Sequence, residues 1–269
     1  MAIKIKNWII DRERTGRPCF SRNEVADAFS SLSAASIDSS LSRFRSNGLV
    51  QAVHRGFYCV IPAHYAYVGK VPPSYYIDSL MKWLGRPYYI ALLSAAEMFG
   101  AAHQKPMVTQ VMTELPCFSY SKKKNDSVDW QFRSRVPSQF VLRKNGENGQ
   151  IAYSNAELTA VDLVRYSHSA GGLSSVATVF AELREATDFS GAGQGVFTTA
   201  DIADVQRLGY IYDAILGDCA QAETIHGELL TLCRDLKPVA LDPGLPSDGA
   251  EINRRWKVKV NHEIEVDEV

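Results

Sequence analysis

The sequence predicts an α+β protein: a small N-terminal module of three helices and a β-hairpin, then a larger mixed α/β domain. Three observations carry this. Residues 1–62 place helix-start and helix-stop chemistry around amphipathic stretches and end in an apolar, turn, apolar run. Strand-like runs then cluster between residues 107 and 153, and helical patterns fill 155–236, so strands and helices are segregated. Charge is segregated too: residues 1–62 hold nine Lys/Arg against five Asp/Glu, leaving 20 against 25 for the rest of a chain whose net charge is -1. A basic head on a mildly acidic body fits a nucleic-acid-binding module on a regulatory or effector domain.

The first helix is expected over residues 4–14, where Ile5, Trp8, Ile9 and Arg12 share one face and Thr15-Gly16-Arg17-Pro18 supplies stop chemistry. Ser21 and Glu24 then form an S-x-x-E capping box, with Phe20 positioned to staple onto Val25. Val25, Ala26 and Phe29 give this second helix its buried side. The third helix is expected over 34–47: Ile37, Leu41 and Phe44 make one narrow apolar stripe, and Gly48 closes it. Its opposite face carries Ser36, Ser39, Ser40 and Arg43, with Arg45 and Ser46 near the end. Short hydroxyls let a helix approach base edges closely, and a guanidinium reaches a guanine or a phosphate.

Residues 49–53 and 57–61 read as two strands around His54-Arg55-Gly56, with glycine at the tight turn. Three helices followed by a hairpin with a basic tip is the winged helix-turn-helix order. Its candidate contacts with double-stranded DNA are Ser21, Arg22, Ser36, Ser39, Ser40, Arg43, Arg45, His54 and Arg55. The expected boundaries are 1–64 for the DNA-binding domain, 65–73 for a linker and 74–269 for the second domain.

In the second domain, helical patterns cover 74–84 and 90–100. Strand-like runs cover 107–112, 128–132, 140–143 and 149–153. Asn155 is placed to cap a helix carrying Leu158, Val161 and Val164, and Val176, Val179, Phe180 and Leu183 stripe another. The closing Trp256-Lys257-Val258-Lys259-Val260-Asn261 alternates as a half-buried strand and is expected to join the sheet.

Gly191-Ala192-Gly193-Gln194-Gly195 misses the dinucleotide spacing, lacks a following GK[ST] and reads as a loop. The histidines His54, His64, His103, His168, His226 and His262 are scattered, and no CxxC joins Cys19, Cys59, Cys117, Cys219 and Cys233, which read as reduced thiols. Ser94 sits in a helical pattern with no G-x-S-x-G elbow. Glu97, Glu114, Asp129, Glu157 and Asp162 have no spacing that demands a nuclease-like metal site, and each reads first as a helix-end or surface carboxylate. Lys122-Lys123-Lys124 reads as an exposed hairpin tip open to a phosphate contact. No apolar run approaches the roughly 20 residues of a membrane span, and the charged opening stretch is unlike a secretory leader, so a soluble, cytoplasmic protein is expected. No cofactor, no metal and no enzymatic activity are expected.

The order of several segments resembles the AbiE-type (AbiEi) antitoxins of type IV toxin–antitoxin pairs. It runs through Val53-His54-Arg55-Gly56-Phe57-Tyr58 and Tyr88-Tyr89-Ile90-Ala91-Leu92-Leu93-Ser94-Ala95-Ala96-Glu97-Met98-Phe99-Gly100. It continues through Ala156-Glu157-Leu158-Thr159-Ala160-Val161-Asp162-Leu163, Gly171-Gly172, Arg207-Leu208-Gly209-Tyr210 and the closing Trp256 segment. The resemblance implies an N-terminal winged helix that represses its own operon at inverted repeats, and a C-terminal domain with antitoxin activity in phage defence. It implies a nucleotidyltransferase-like toxin as functional partner, opposed without a tight complex. The family's DNA contacts would fall here on Ser36, Ser39, Ser40, Arg43, Arg45 and Arg55; this third helix is rich in serine and poor in arginine. Two other readings stay open from the residues alone: a ligand-responsive winged helix transcription factor, and a metal-dependent nuclease with a winged head.

Overall fold

The structure, a computed structural model, describes residues 2–101, 106–117 and 127–266. His103 and Lys122-Lys123-Lys124 lie outside the described residues. The chain divides into two units discontinuous in sequence. One comprises Met1–Tyr88, Thr113–Val136 and Arg143–Ala152; the other comprises Tyr89–Met112, Pro137–Leu142 and Tyr153–Val269.

The first unit begins with α1 (Ala2–Arg14), β1 (Cys19–Ser21), α2 (Arg22–Ala28), α3 (Ala34–Ser46), β2 (Val50–His54) and β3 (Phe57–Val60). The apolar stripes converge as their spacing predicts: Ile5 and Ile9 of α1, Val25 of α2, and Ile37, Leu41 and Phe44 of α3 form one buried cluster with Phe20, Val50 and Val60. Each such side chain contributes about 1.5–3 kcal/mol on burial. Trp8 meets Phe20 edge-on at 5.4 Å and Phe29 at 6.3 Å, closing the top of that core.

The stop and staple chemistry around Pro18 and Phe20 predicts no strand, but Cys19–Ser21 form a third one. Cys19, Phe20 and Ser21 pair antiparallel with Cys59, Tyr58 and Phe57, giving the sheet order β1-β3-β2. The pairing partner lies some forty positions away, so no local pattern marks this strand.

In the same unit α4 (Pro73–Leu84) starts with proline in its first turn and stops at Gly85, whose φ of 66° supplies the left-handed cap. It buries Tyr75, Tyr76, Ile77, Leu80 and Met81 and packs on β1. Within the predicted linker, His64 Nε2 and Tyr65 Oη each lie 2.7 Å from the Glu147 carboxylate.

The remaining strands are β4 (Tyr88–Ile90), β5 (Thr109–Glu114), β6 (Val128–Arg133), β7 (Val141–Gly146) and β8 (Gly149–Ser154). They form a five-stranded sheet in the order β6-β5-β4-β8-β7. The helix expected over 90–100 is shorter. Tyr88-Tyr89-Ile90 is a fully buried strand, and α5 (Leu92–Ala96) follows, ending in a 3-10 turn at Glu97–Phe99. A short apolar run buried on both faces carries no periodicity to separate strand from helix.

The second unit stacks α6 (Ala156–Arg165), α7 (Leu173–Leu183), α8 (Ile202–Tyr210) and α9 (Cys219–Leu232), with a π turn at Ile211–Ile215 between α8 and α9. Asn155 caps α6 through Leu158 N–H at 2.9 Å, as expected. The C-terminal segment is a strand, β11 (Val258–Val260), but it joins a separate three-stranded sheet, β10-β11-β9, with β10 at Glu251–Asn253 and β9 at Val239–Ala240. Trp256, just before it, is fully buried against Gly209 of α8, where an added Cβ would lie 1.9 Å from the indole. Its Nε1–H donates to Asp213 at 2.8 Å, and Gln206 donates to its carbonyl at 2.8 Å.

Candidate nucleic-acid interface

The third helix decides whether the first unit can approach a duplex. Ser33 caps α3, accepting Ser36 N–H at 3.3 Å, and the stripe Ile37, Leu41 and Phe44 turns one face inward. That orientation places Ser36, Ser39, Arg43 and Ser46, spaced by three and four residues, on the outer face. Ser39, Arg43 and Arg45 are exposed and Ser36 is half-buried. Ser40 is turned inside, its hydroxyl donating to the Ser36 carbonyl at 2.8 Å.

At the start of α2 the capping box forms in full. Ser21 Oγ accepts Glu24 N–H at 3.1 Å, and Glu24 Oε2 accepts Ser21 N–H at 2.7 Å. The other Glu24 oxygen pairs with Arg12 at 2.9 Å, and Arg12 also donates to the Cys19 carbonyl at 2.9 Å, so the basic residue on the apolar face of α1 has a structural job. Ser21 is buried, and its hydroxyl is committed to the cap.

Arg22 reaches across to α3. Its Nε and Nη2 donate to the two Asp38 oxygens at 2.6 and 3.0 Å, and Nη2 lies 3.5 Å from the Ala34 carbonyl. The bidentate fork holds the Asp38 carboxyl below the usual range and raises the Arg22 guanidinium further. Tyr58 of β3 stands beside this pair: burial, then the Asp38 charge, pushes its hydroxyl up, while Arg45 and Arg22 pull it down. Asp38 was missed in the sequence, because an acid on an exposed helix face gives no local sign of a partner sixteen residues earlier.

At the hairpin tip Arg55 is exposed and Gly56 takes φ 78°. The Gly56 carbonyl accepts Arg22 N–H at 2.8 Å, tying the turn to the start of α2. His54 Nδ1 lies 3.2 Å from the Arg55 carbonyl, and the His54 ring meets Trp83 of α4 edge-on at 5.6 Å. Trp83 also stacks on Phe57 at 5.1 Å, so α4 braces the residues flanking the hairpin turn, a contact no nearby residue announces.

The nine predicted residues therefore separate by circumstance. Ser39, Arg43, Arg45 and Arg55 are presented to solvent and Ser36 is half-buried beside them, and among the described residues no carboxylate pairs with any of these three arginines. His54 is held against Trp83 beside the turn, Arg22 is engaged by Asp38, and Ser21 and Ser40 face inward.

The carboxylates weighed for a metal site are occupied otherwise. In the first unit Glu114 accepts Val136 N–H at 2.8 Å, and Asp129 accepts Gln131 at 3.0 Å. In the second, Asp162 accepts the Tyr89 hydroxyl at 2.6 Å. Glu157 accepts Asp188 N–H at 2.7 Å, and burial raises its pKa. Among the described residues, no group of three or more His, Cys, Asp and Glu is placed to hold a metal ion. Gly193, in the glycine-rich stretch, is packed: an added Cβ would lie 2.5 Å from Glu157 Cγ. No helix among the described residues is long and apolar enough to cross a membrane.

A crystal structure of the RV2827C protein from Mycobacterium tuberculosis is similar in fold, with a TM-score of 0.65 and 12% identity over 93% of this chain and 88% of that one. No curated protein matches the chain. Residues 89–214, from β4 through α8 into the π turn, match the family model of the AbiEi antitoxin C-terminal domain, so this segment of the chain is similar to that domain.

Proposed function

We propose that this protein is a type IV antitoxin that also binds operator DNA and represses its own operon. Residues 1–64 hold the DNA, residues 65–73 link, and residues 74–269 carry the antitoxin activity. The single observation behind the DNA reading is the outer face of α3, with Ser36 half-buried and Ser39 and Arg43 exposed, together with exposed Arg45 and Arg55; the three guanidiniums have no carboxylate partner among the described residues. A helix with short hydroxyls lies close to base edges in a major groove, Arg43 reads a guanine or grips a phosphate, and Arg55 at the hairpin tip meets the adjacent backbone. With few arginines per module, affinity comes from paired modules on inverted repeats. The matched antitoxin domain supports a toxin partner, here a nucleotidyltransferase-like protein opposed in the cytoplasm without a stable complex. The reading assigns the chain no catalytic step and no cofactor.

The test is electrophoretic mobility of the DNA upstream of its own gene across a salt series, paired with toxin neutralisation on co-expression. Sequence-selective binding that weakens steeply with salt, together with rescue of growth, is expected. Binding blind to sequence, or growth arrest unrelieved by the protein, overturns the reading. Operator affinity that instead follows an added small molecule, without neutralisation, favours a ligand-responsive factor.

A further inference from the structure

The sheet of the N-terminal module carries a pair of cysteines placed for chemistry. Cys19 of β1 and Cys59 of β3 are register partners, with sulfurs 3.3 Å apart. Hydrogen bonds from Val60 N to Pro18 O at 2.9 Å and from Arg22 N to Gly56 O at 2.8 Å mark the bonded rungs of this antiparallel pair. Cys19 and Cys59 therefore occupy a non-bonded rung between them. On such rungs the Cα atoms are closest, about 4.5 Å apart, within the span of roughly 4.4–6.8 Å that a disulfide bridges.

The two sulfurs face away from the main core. Phe20 and Tyr58, the next rung, stack at 5.8 Å on the core side, so the alternation of the strands sends Cys19 and Cys59 to the face covered by α4. The other cysteines lie elsewhere in the chain, and all five are free thiols.

We propose that Cys19 and Cys59 are a peroxide-sensitive dithiol that closes reversibly into a cross-strand disulfide. Cys19, 8% exposed against 0% for Cys59, meets the oxidant first. Its thiol gives a proton to water, and the thiolate attacks one peroxide oxygen; the O–O bond breaks and the departing hydroxide leaves as water, giving a sulfenic acid. The hydrogen bond with Cys19, with burial, holds the Cys59 thiol well above the ordinary range, so it reacts second. Its sulfur attacks the Cys19 sulfur, the S–O bond breaks, and the hydroxide departs with the Cys59 proton as a second water. Two thiols and one hydrogen peroxide become one disulfide and two waters. The bond fastens β3, which leads back to the Arg55 turn, to β1, whose last residue caps α2. The site stands independently of the proposed function.

The test treats the native full-length protein with hydrogen peroxide, quenches in acid, alkylates remaining thiols after unfolding and maps peptides by mass. Exposed Cys219 serves as the internal measure of oxidant exposure. A linked peptide pair bearing Cys19 and Cys59, lighter by two hydrogens and released by dithiothreitol, is expected. In Cys59→Ser the bond is lost and Cys19 accumulates as a sulfenic acid that dimedone captures. Recovery of both Cys19 and Cys59 as alkylated thiols after Cys219 is fully oxidised overturns the proposal, as does finding either one bonded only to another cysteine. The wild-type readout decides the matter even if the serine variant fails to fold.

Discussion

Arg22 at the first position of α2 holds Asp38 on α3 through two charged hydrogen bonds of 2.6 and 3.0 Å, while its backbone N–H holds Gly56 in the hairpin turn. One residue thus joins helix, helix and wing. Asp38→Asn removes a negative charge from the face proposed to meet DNA and frees the Arg22 guanidinium. Tighter operator binding is expected, with a salt slope steeper by about 1. An unchanged slope in a mobility-shift titration would show that Arg22 stays away from phosphate.

The same pair sets a pH response. The folded carboxyl of Asp38 titrates below its unfolded value, so its contribution is present above the ordinary aspartate range and is lost as pH falls through the lower folded pKa. Wild type should lose stability more steeply than Asp38→Asn at acid pH, with the two profiles parallel near neutrality. Urea midpoints taken across the acid range measure this.

Arg43→Ala and Arg55→Ala should fail differently. If Arg43 reads a base, its loss costs about 1–3 kcal/mol of discrimination at one operator position. Loss of Arg55 weakens all sequences alike and lowers the salt slope by about 1. Binding to a panel of single-base operator variants at two salt concentrations separates the two signatures.

Ser21→Ala removes the cap acceptor for Glu24 N–H in a buried setting and should cost about 0.5–2 kcal/mol, read as a lower urea midpoint. Ser21→Asp, which restores an acceptor, should recover less than at an exposed cap because Ser21 is buried.

Gly209→Ala inverts the usual sign. Glycine to alanine inside a helix ordinarily stabilises by up to about 1 kcal/mol, yet here the methyl would sit 1.9 Å from the Trp256 ring. Overpacking of about 1–3 kcal/mol is expected to win, loosening the C-terminal segment first. Faster amide hydrogen exchange at residues 256–260 in the variant is the measurement.

What could be read along the chain was whatever its causes keep close together. The S-x-x-E box at Ser21 and Glu24, the stripe Ile37, Leu41, Phe44 and the turn at Arg55-Gly56 each involve residues within a few positions, and all three appear as predicted. Strand β1 needed Cys59 and Tyr58 as partners, and the pairing of Arg22 with Asp38 needed two helices to meet. The bracing of His54 and Phe57 by Trp83, and the seat of Trp256 on Gly209, depend on residues tens of positions away. The candidate interface was legible as a set of residue types, but not in which of them are spent on holding the fold. Ser40 and Ser39 are adjacent and chemically identical, and only the helix phase fixed by Ile37 and Leu41 sends one inside and leaves the other out.

The position of Trp83 gives the module its own spectroscopic reporter. The indole is 41% exposed yet leans on His54 and Phe57, one flanking each side of the Arg55-Gly56 turn. Any ligand that settles against that turn changes the hydration of the ring and its distance from the histidine, and so shifts emission colour and lifetime without an attached dye. The chain has four tryptophans, so the difference between wild type and Trp83→Phe isolates this signal from Trp8, Trp130 and Trp256.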